Sequence, residues 1–342
     1  MTSLRKIFFC IIALFCVAGL SAQSTETLNV MTYNIKGHGM TDSRLADIAK
    51  VINQQNPDIV ALQEVDNRTF LGLKHNYLEE LAEATGMNYE FFPLVGTYYG
   101  IGLLSKEKPL SVDTHRVERG ANSTDKEDRG FIIAEFNDFF FMSTHYSLNA
   151  DDRDVATDWA VDFALNSDKT VFIAGDFNAK PTYRAIVTFK NNGFKILNDI
   201  NEYTYPAEAP ESCIDMLLCY SNFREAVKYD VTDSYIAETE GLELPDVSDH
   251  LPVMIKLAKK ASSVTAVEND DIRLSTTATG FRLSGLAESV PVTVYDLYGK
   301  AILAAQVANE QNVDMPQNSM SGIYFIQVGT HKQKHTYKFF FN

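Results

Sequence analysis

The chain has 342 residues, of which 45% are hydrophobic and 22% are charged, so it can build one or two domains with complete cores. This much apolar sequence excludes an intrinsically disordered protein. The net charge is −15, and residues 23–260 hold 22 Lys and Arg against 38 Asp and Glu, which disfavours a broad nucleic-acid-binding surface. A locally basic groove or a bound metal ion could still receive a phosphate group.

The first predicted element is a secretory signal peptide over residues 1–22. Arg5 and Lys6 precede an apolar run from Ile7 to Gly19, and Ala22 is a small residue suited to cleavage. The apolar run is too short to cross a bilayer as a helix. We therefore expect an exported protein that has no transmembrane segment after cleavage.

Residues 27–258 alternate between segments with strand periodicity and segments with helix periodicity. Helices are predicted over Arg44–Gln55, Asn76–Thr85, Asp152–Leu165 and Tyr183–Asn191, the last with Thr182 as its N-cap. Strands are predicted over Leu28–Ile35, Asp58–Val65, Tyr89–Val95, Gly100–Ser105, Gly130–Phe136, Phe139–His145, Thr170–Asp176, Ile214–Tyr220, Ala226–Val231 and Pro252–Leu257. Many strands with few helices predict two packed sheets with helices outside them.

A change in composition marks a second domain. Residues 259–271 are polar and lack periodicity, so we interpret them as a linker. Residues 272–342 hold only strand patterns, such as Pro291–Leu297 and Gly322–Val328. This segment is predicted to form a small all-β sandwich.

Several polar residues lie where predicted strands end or begin, which is where a rigid scaffold displays reactive groups. Each of them alone also has an ordinary structural explanation as a turn former, a cap or a solvated carboxylate. In chain order they form six motifs: Thr32-Tyr33-Asn34, Gln63-Glu64, Thr144-His145, Gly175-Asp176-Phe177-Asn178, Ile214-Asp215 and Ser248-Asp249-His250.

These motifs, in this order, resemble the endonuclease/exonuclease/phosphatase superfamily over residues 28–258. The likeness also includes Tyr99-Gly100 and Asp128-Arg129-Gly130. It implies an α+β fold, a four-layer sandwich of two mostly antiparallel sheets flanked by helices, as in DNase I. It also implies a metal-dependent phosphoester hydrolase.

The resemblance assigns roles to individual residues. Asn34, Glu64 and Asp249 would bind a divalent ion, Mg²⁺ or Mn²⁺, because such ions prefer oxygen ligands. The residues implied in catalysis are His145, Asp176, Asn178, Asp215 and His250, with Asp215 orienting the His250 ring. Either Asp176 or His250 could be the general base. Arg129 could contact a phosphate oxygen, or it could instead form a surface ion pair with Glu127 or Asp128.

Substrate class follows less directly from the resemblance. Asp215 follows Asn178 by only 37 positions, which leaves little room for an element that grips DNA. Together with the acidic charge, this favours a small phosphoester or a lipid or glycan headgroup. A secreted nuclease acting on DNA or RNA is the main alternative, and a surface-binding protein that has lost activity is a third.

The C-terminal segment resembles the sorting domains of type IX secretion, known from Bacteroidetes. The likeness lies in Val292–Lys300, Ser321–Ile326 and Tyr337–Phe340. It implies recognition by secretion machinery, and a protein that is secreted or held at the outer-membrane surface. An ordinary β-sandwich used for adhesion or oligomerisation is the alternative.

Overall fold

The computed structural model describes residues 26–341 except 68, 71–72, 75, 222–226, 262–271, 278, 287, 298, 318 and 331–332. The predicted signal peptide, residues 1–22, and most of the predicted linker lie outside the described residues. Among the described residues, no helix is long and apolar enough to span a membrane.

The first domain contains five helices and fourteen strands among the described residues. In chain order these are β1 (Glu26–Asn34), α1 (Asp42–Gln55), β2 (Ile59–Asp66), β3 (Thr69–Phe70), β4 (Leu73–Lys74), α2 (Tyr77–Thr85), β5 (Asn88–Val95), β6 (Tyr99–Ser105), β7 (Ser111–Val117), β8 (Arg129–Glu135), β9 (Phe139–His145), α3 (Ala150–Asn166), β10 (Thr170–Asp176), α4 (Arg184–Asn191), β11 (Lys195–Ile196), β12 (Asp215–Tyr220), β13 (Val227–Ile236), α5 (Leu244–Val247) and β14 (Val253–Ala261).

Two six-stranded sheets form the centre of this domain, in the orders β13-β14-β1-β2-β6-β5 and β11-β12-β10-β9-β8-β7. Only the central pairs β1–β2 and β9–β10 are parallel in these two sheets. Every other neighbouring pair is antiparallel. The expected fold of two mostly antiparallel sheets is therefore confirmed.

Three apolar cores separate four layers. One core joins α1 and α2 to the first sheet, one lies between the two sheets, and one joins the second sheet to α3 and α4. Strand β10 is buried along its whole length because it is covered on both faces. Thr41 is the N-cap of helix α1, and its side chain accepts from the Arg44 N–H. The helix buries Leu45, Ile48 and Val51.

Local structure differs from the sequence prediction at an edge strand and at a helix cap, among other places. Strand β7 was not predicted, because it is an edge strand whose residues are mostly exposed and show no apolar alternation. The predicted N-cap of α4, Thr182, is wrong. Tyr183 occupies that position, and its side chain makes no capping hydrogen bond.

The C-terminal domain is all-β, as predicted. Its strands are β15 (Arg273–Thr276), β16 (Gly280–Ser284), β17 (Val290–Tyr295), β18 (Ala301–Val307), β19 (Asn312–Asp314), β20 (Gly322–Thr330) and β21 (Gln333–Phe341). They form sheets β15-β16-β19 and β18-β17-β20-β21 over a core that includes Phe281, Val294 and Ile326. The last strand of the first domain, β14, continues to Ala261 and so extends into the segment predicted as a linker, residues 259–271.

Candidate active site

Strand register in the second sheet brings three of the predicted residues side by side. Asp176 at the end of β10 pairs with His145 at the end of β9. On its other side, Asp176 pairs with Asp215 at the start of the antiparallel strand β12. All three residues are buried. Because β12 runs opposite to β9 and β10, its first residue lies beside the last residues of those two strands.

The first sheet contributes Asn34, at the end of β1, and Glu64, which lies at an irregularity in the pairing of β2 with β6. Glu64 has a φ of 58°, a left-handed conformation that is uncommon for residues other than glycine. Its carbonyl oxygen accepts a hydrogen bond from Gly37 N at 2.8 Å. A Cβ atom at position 37 would lie 1.9 Å from that oxygen, so only glycine fits there.

Asp176 is the centre of the site. Its Oδ2 lies 3.2 Å from Asn34 Nδ2, 3.5 Å from His145 Nε2 and 3.7 Å from His250 Nε2. Its Oδ1 accepts from the backbone N–H of Asn178 at 2.8 Å. Side chains from both sheets therefore meet around a single carboxylate.

The remaining predicted residues surround this centre. Asn34 Nδ2 donates to Glu64 Oε1 at 3.1 Å, and Asn34 Oδ1 accepts from Lys36 N at 3.1 Å. The Lys36 ammonium lies 3.2 Å from Asp249 Oδ2. The structure thus brings together all eight residues that the motifs singled out.

Oxygen atoms suited to a hard divalent cation occur on the Asn34 side of the site. Glu64 and Asp249 supply carboxylates, and Asp249 Oδ1 is buried with no hydrogen-bond partner among the described residues. A buried, unpartnered carboxylate oxygen is costly unless a cation or other donor satisfies it. Asn34, Glu64 and Asp249 therefore fit Mg²⁺ or Mn²⁺.

A second group could also hold a metal ion: Asp176, Asp215 and His250 offer ligand atoms within 4.8 Å of one another. Asp215 Oδ2, however, lies 2.9 Å from His250 Nδ1, the geometry of a carboxylate that holds an imidazole. We interpret this second group as a hydrogen-bonded relay, because its shortest contact is the one between the Asp215 carboxylate and the His250 imidazole.

The pKa values of His250 and Asp176, two members of this relay, are both raised. Burial lowers the pKa of His250, but the Asp215 carboxylate, with Asp176 and Asp249 beyond it, outweighs burial and raises that pKa. Burial, followed by the Asp215 charge, raises the pKa of Asp176. The excess of negative charge among Asp176, Asp215 and Asp249 suits a site that receives a cation.

His145 has a different environment. Its Nδ1 lies 3.0 Å from Arg129 Nη1, and its Nε2 lies 3.2 Å from Asn178 Nδ2. Burial, and then the charges of Arg129 and His250, lower the pKa of His145 well below its usual value. Burial and the neighbouring positive charges therefore favour the neutral form of the His145 imidazole.

Arg129 is buried rather than at the surface. Its Nε and Nη2 donate to Asp125 Oδ2 at 3.1 and 3.0 Å, and Nη1 lies 3.1 Å from Glu127 Oε2. Of the two ion-pair partners considered from the sequence, Glu127 is contacted. Asp128 instead pairs with Arg116 and Arg119.

Sequence reasoning did not assign roles to two tyrosines at the site. Burial and then the Glu64 charge raise the pKa of Tyr99, whose side chain shares a hydrogen bond with Glu64. The half-exposed ring of Tyr205 lies 4.6 Å from the His250 ring. Tyr99 lay inside a matching motif and could have been proposed. Tyr205 lies in an irregular loop, where no periodicity indicates a contact.

Comparisons with known proteins agree with this geometry. The sequence model of the Endonuclease/Exonuclease/phosphatase family matches residues 31–250, and that of the secretion system C-terminal sorting domain matches residues 269–342. No curated protein matches the chain.

Solved structures share the fold at low sequence identity. An endonuclease/exonuclease/phosphatase from Beutenbergia cavernae is 18% identical, with a TM-score of 0.53, and the match covers 92% of this chain and 100% of that one. One from Bacteroides vulgatus is 18% identical with a TM-score of 0.55, covering 69% and 100%. D. rerio TDP2 complexed with a single-strand DNA product is 16% identical with a TM-score of 0.53, covering 68% and 98%.

Proposed function

The chain belongs to the endonuclease/exonuclease/phosphatase family, whose members are generally hydrolases, and we propose on this basis that it hydrolyses a phosphoester with the help of a divalent metal ion. The observation that supports this most directly is the position of Asp176 Oδ2, within 3.7 Å of donor atoms on Asn34, His145 and His250. A water or phosphoryl oxygen next to Asp176 Oδ2 would meet that carboxylate as a proton acceptor and the neighbouring nitrogens as hydrogen-bond donors.

The positions of these residues suggest a separate role for each of them in the in-line attack of water on the phosphorus. Asp176 orients the water and takes its proton as the oxygen–phosphorus bond forms. His250, held by Asp215, and Asn178 bind the phosphoryl oxygens, and His145 faces the phosphate beside Asn178. The bond to the leaving-group oxygen then breaks. A bound Mg²⁺ or Mn²⁺ on Asn34, Glu64 and Asp249 would neutralise the negative charge of the transition state.

The protein acts outside the cytoplasm. The sorting domain over residues 269–342 indicates type IX secretion to the cell surface or the medium. The substrate is therefore an extracellular or surface-exposed phosphoester.

We favour a small phosphoester, or a lipid or glycan headgroup, over a long polyanion. The excess of 38 Asp and Glu over 22 Lys and Arg in residues 23–260 repels every phosphate that lies outside the metal site. The second candidate is a nuclease, because a protein of the same fold has been solved with a single-strand DNA product.

The test compares plasmid DNA with small phosphomonoesters and phosphodiesters, using the purified mature protein with Mg²⁺ or Mn²⁺. Hydrolysis of a small ester that EDTA abolishes, and that Asp176→Ala lacks, is the expected result. Efficient nicking of DNA at physiological salt, absent in the variant, would favour the nuclease. No metal-dependent turnover on any phosphoester would support the inactive binding protein.

A further inference from the structure

We propose that Arg129 is a positioning residue, which fixes His145 as a neutral hydrogen-bond donor whose Nε2–H faces the phosphate site. The inference rests on the proposed function and adds a residue to its machinery. It gives Arg129 a role different from the phosphate contact expected from the sequence.

The guanidinium of Arg129 is itself held in place. Two of its nitrogens donate to Asp125 Oδ2, at 3.0 and 3.1 Å. That oxygen also accepts from Ser147 Oγ at 2.8 Å and from Leu148 N at 3.0 Å. Arg129, Asp125 and Ser147 are all buried. A charged group with this many fixed hydrogen bonds has little freedom to move toward a substrate.

The contact between Arg129 and His145 determines where the imidazole proton lies. A guanidinium has only donors and no acceptor. Arg129 Nη1, 3.0 Å from His145 Nδ1, must therefore donate to that nitrogen. A neutral imidazole has one proton for two nitrogens, so the proton lies on Nε2.

Asn178 would favour the opposite tautomer, because its Nδ2 is also a donor and lies 3.2 Å from His145 Nε2. An imidazole cannot accept at both nitrogens, so only one of these two donors can bond to it. The charged donor prevails, because charge-assisted hydrogen bonds are roughly twice as strong as neutral ones. The Asn178 amide keeps its other bond, to the carbonyl of Tyr146 at 2.9 Å.

The Nε2–H of His145 then points into the site. Asp176 Oδ2 lies 3.5 Å from that nitrogen, on the side where a water or phosphoryl oxygen would lie. His145 thus donates to an oxygen that gains negative charge during the reaction. It does not act as a base. His250 differs because its Nδ1 faces the carboxylate of Asp215 at 2.9 Å, an acceptor, so its Nδ1 carries a proton whether or not its Nε2 does.

The first test reads the tautomer directly and needs no substrate, so it is independent of whether the proposed function holds. Long-range ¹H–¹⁵N spectra of the full chain labelled at histidine should show His145 as the Nε2–H tautomer, with the signal assigned through its loss in His145→Gln. Arg129→Met should relax this preference. Arg153→Met is the matched control, because it also removes a buried guanidinium. That guanidinium donates to the carbonyls of Ser147 and Leu148 and not to the His145 ring. An Nδ1–H or doubly protonated ring in the unmodified protein would overturn the proposal.

The second test uses the hydrolytic activity. Arg129→Met should lower kcat by about 10- to 100-fold, no more than the loss of one transition-state donor, with little change in KM. In a His145→Ala background it should cause no further loss, because Arg129 acts through His145. A raised KM with weaker inhibition by inorganic phosphate would instead indicate a direct phosphate contact and overturn the proposal.

A third comparison remains informative if Arg129→Met fails to fold. His145→Gln and His145→Met have side chains of similar length, but only glutamine can donate a hydrogen bond. We expect the glutamine variant to keep clearly more activity. Equal activity of the two variants would exclude a donor role for His145.

Discussion

At the level of single residues, the Asp215 carboxylate orients the His250 ring. Its Oδ2 lies 2.9 Å from His250 Nδ1, and both side chains are buried. We expect the effects of Asp215→Ala and His250→Ala on kcat to be strongly non-additive. An imidazole that has lost its orienting carboxylate contributes little to kcat, so removing it as well costs little more. A double-mutant cycle measures this coupling, and additive losses would show that the two residues act separately.

Glu64 is the residue whose loss should affect metal binding most. Its carboxylate accepts from Asn34 at 3.1 Å and is part of the oxygen-rich side of the site. Glu64→Gln should weaken Mg²⁺ binding and reduce kcat/KM by about 100-fold or more, since the charge neutralised in the transition state is worth several kcal/mol.

Calorimetric titration with Mg²⁺ and initial rates over a range of Mg²⁺ concentrations measure both effects. Glu83→Gln, an exposed carboxylate in α2, is the control. Unchanged Mg²⁺ affinity in Glu64→Gln would contradict this ligand assignment.

At the level of secondary-structure elements, the irregularity in β2 depends on a close approach of two backbones. Gly37 donates to the Glu64 carbonyl at 2.8 Å, and a Cβ there would lie 1.9 Å from the same oxygen. Gly37→Ala must displace Glu64, so we expect Mg²⁺ affinity to fall by about 10- to 100-fold, as for other changes to the support of metal ligands.

The control for this prediction is Gly39→Ala in the same loop. Gly39 has a φ of 75°, but a Cβ there would meet no atom within 4 Å. It should lose about 1–2 kcal/mol of stability from backbone strain and keep its Mg²⁺ affinity. Metal titration and urea unfolding of both variants separate the two effects, and equal Mg²⁺ affinities would count against the predicted displacement.

At the level of the whole molecule, the predicted site residues and the sorting domain occupy different parts of the chain. The predicted site residues end at His250, and the C-terminal core shares no residue with the three cores of the first domain. A chain that ends at residue 266 should keep the kcat of the full-length enzyme but remain inside the producing cell. Assays of the purified proteins and of culture fractions measure the two properties. A truncated chain that folds but is inactive would make the tail part of the enzyme.

The sequence by itself determined the architecture and indicated which polar residues lie close together. Apolar periodicity depends on local burial, so it located most strands and helices. The motif order from Asn34 to His250 indicated the family and the residues that meet at the site. Strand β7 was missed because an exposed edge strand such as Ser111–Val117 shows no apolar pattern.

Only the tertiary structure decided how these side chains pair. Asn34 and Asp176 are 142 residues apart in the chain yet 3.2 Å apart in the site, a contact set by the packing of one sheet on the other and not by local pattern. The same holds for Arg129. The sequence allowed either a phosphate contact or a surface ion pair for this residue, and the fold instead buries it between Asp125 and His145. Hydrogen-bond partners depend on distances and directions between strands, and these become fixed only when the two sheets pack.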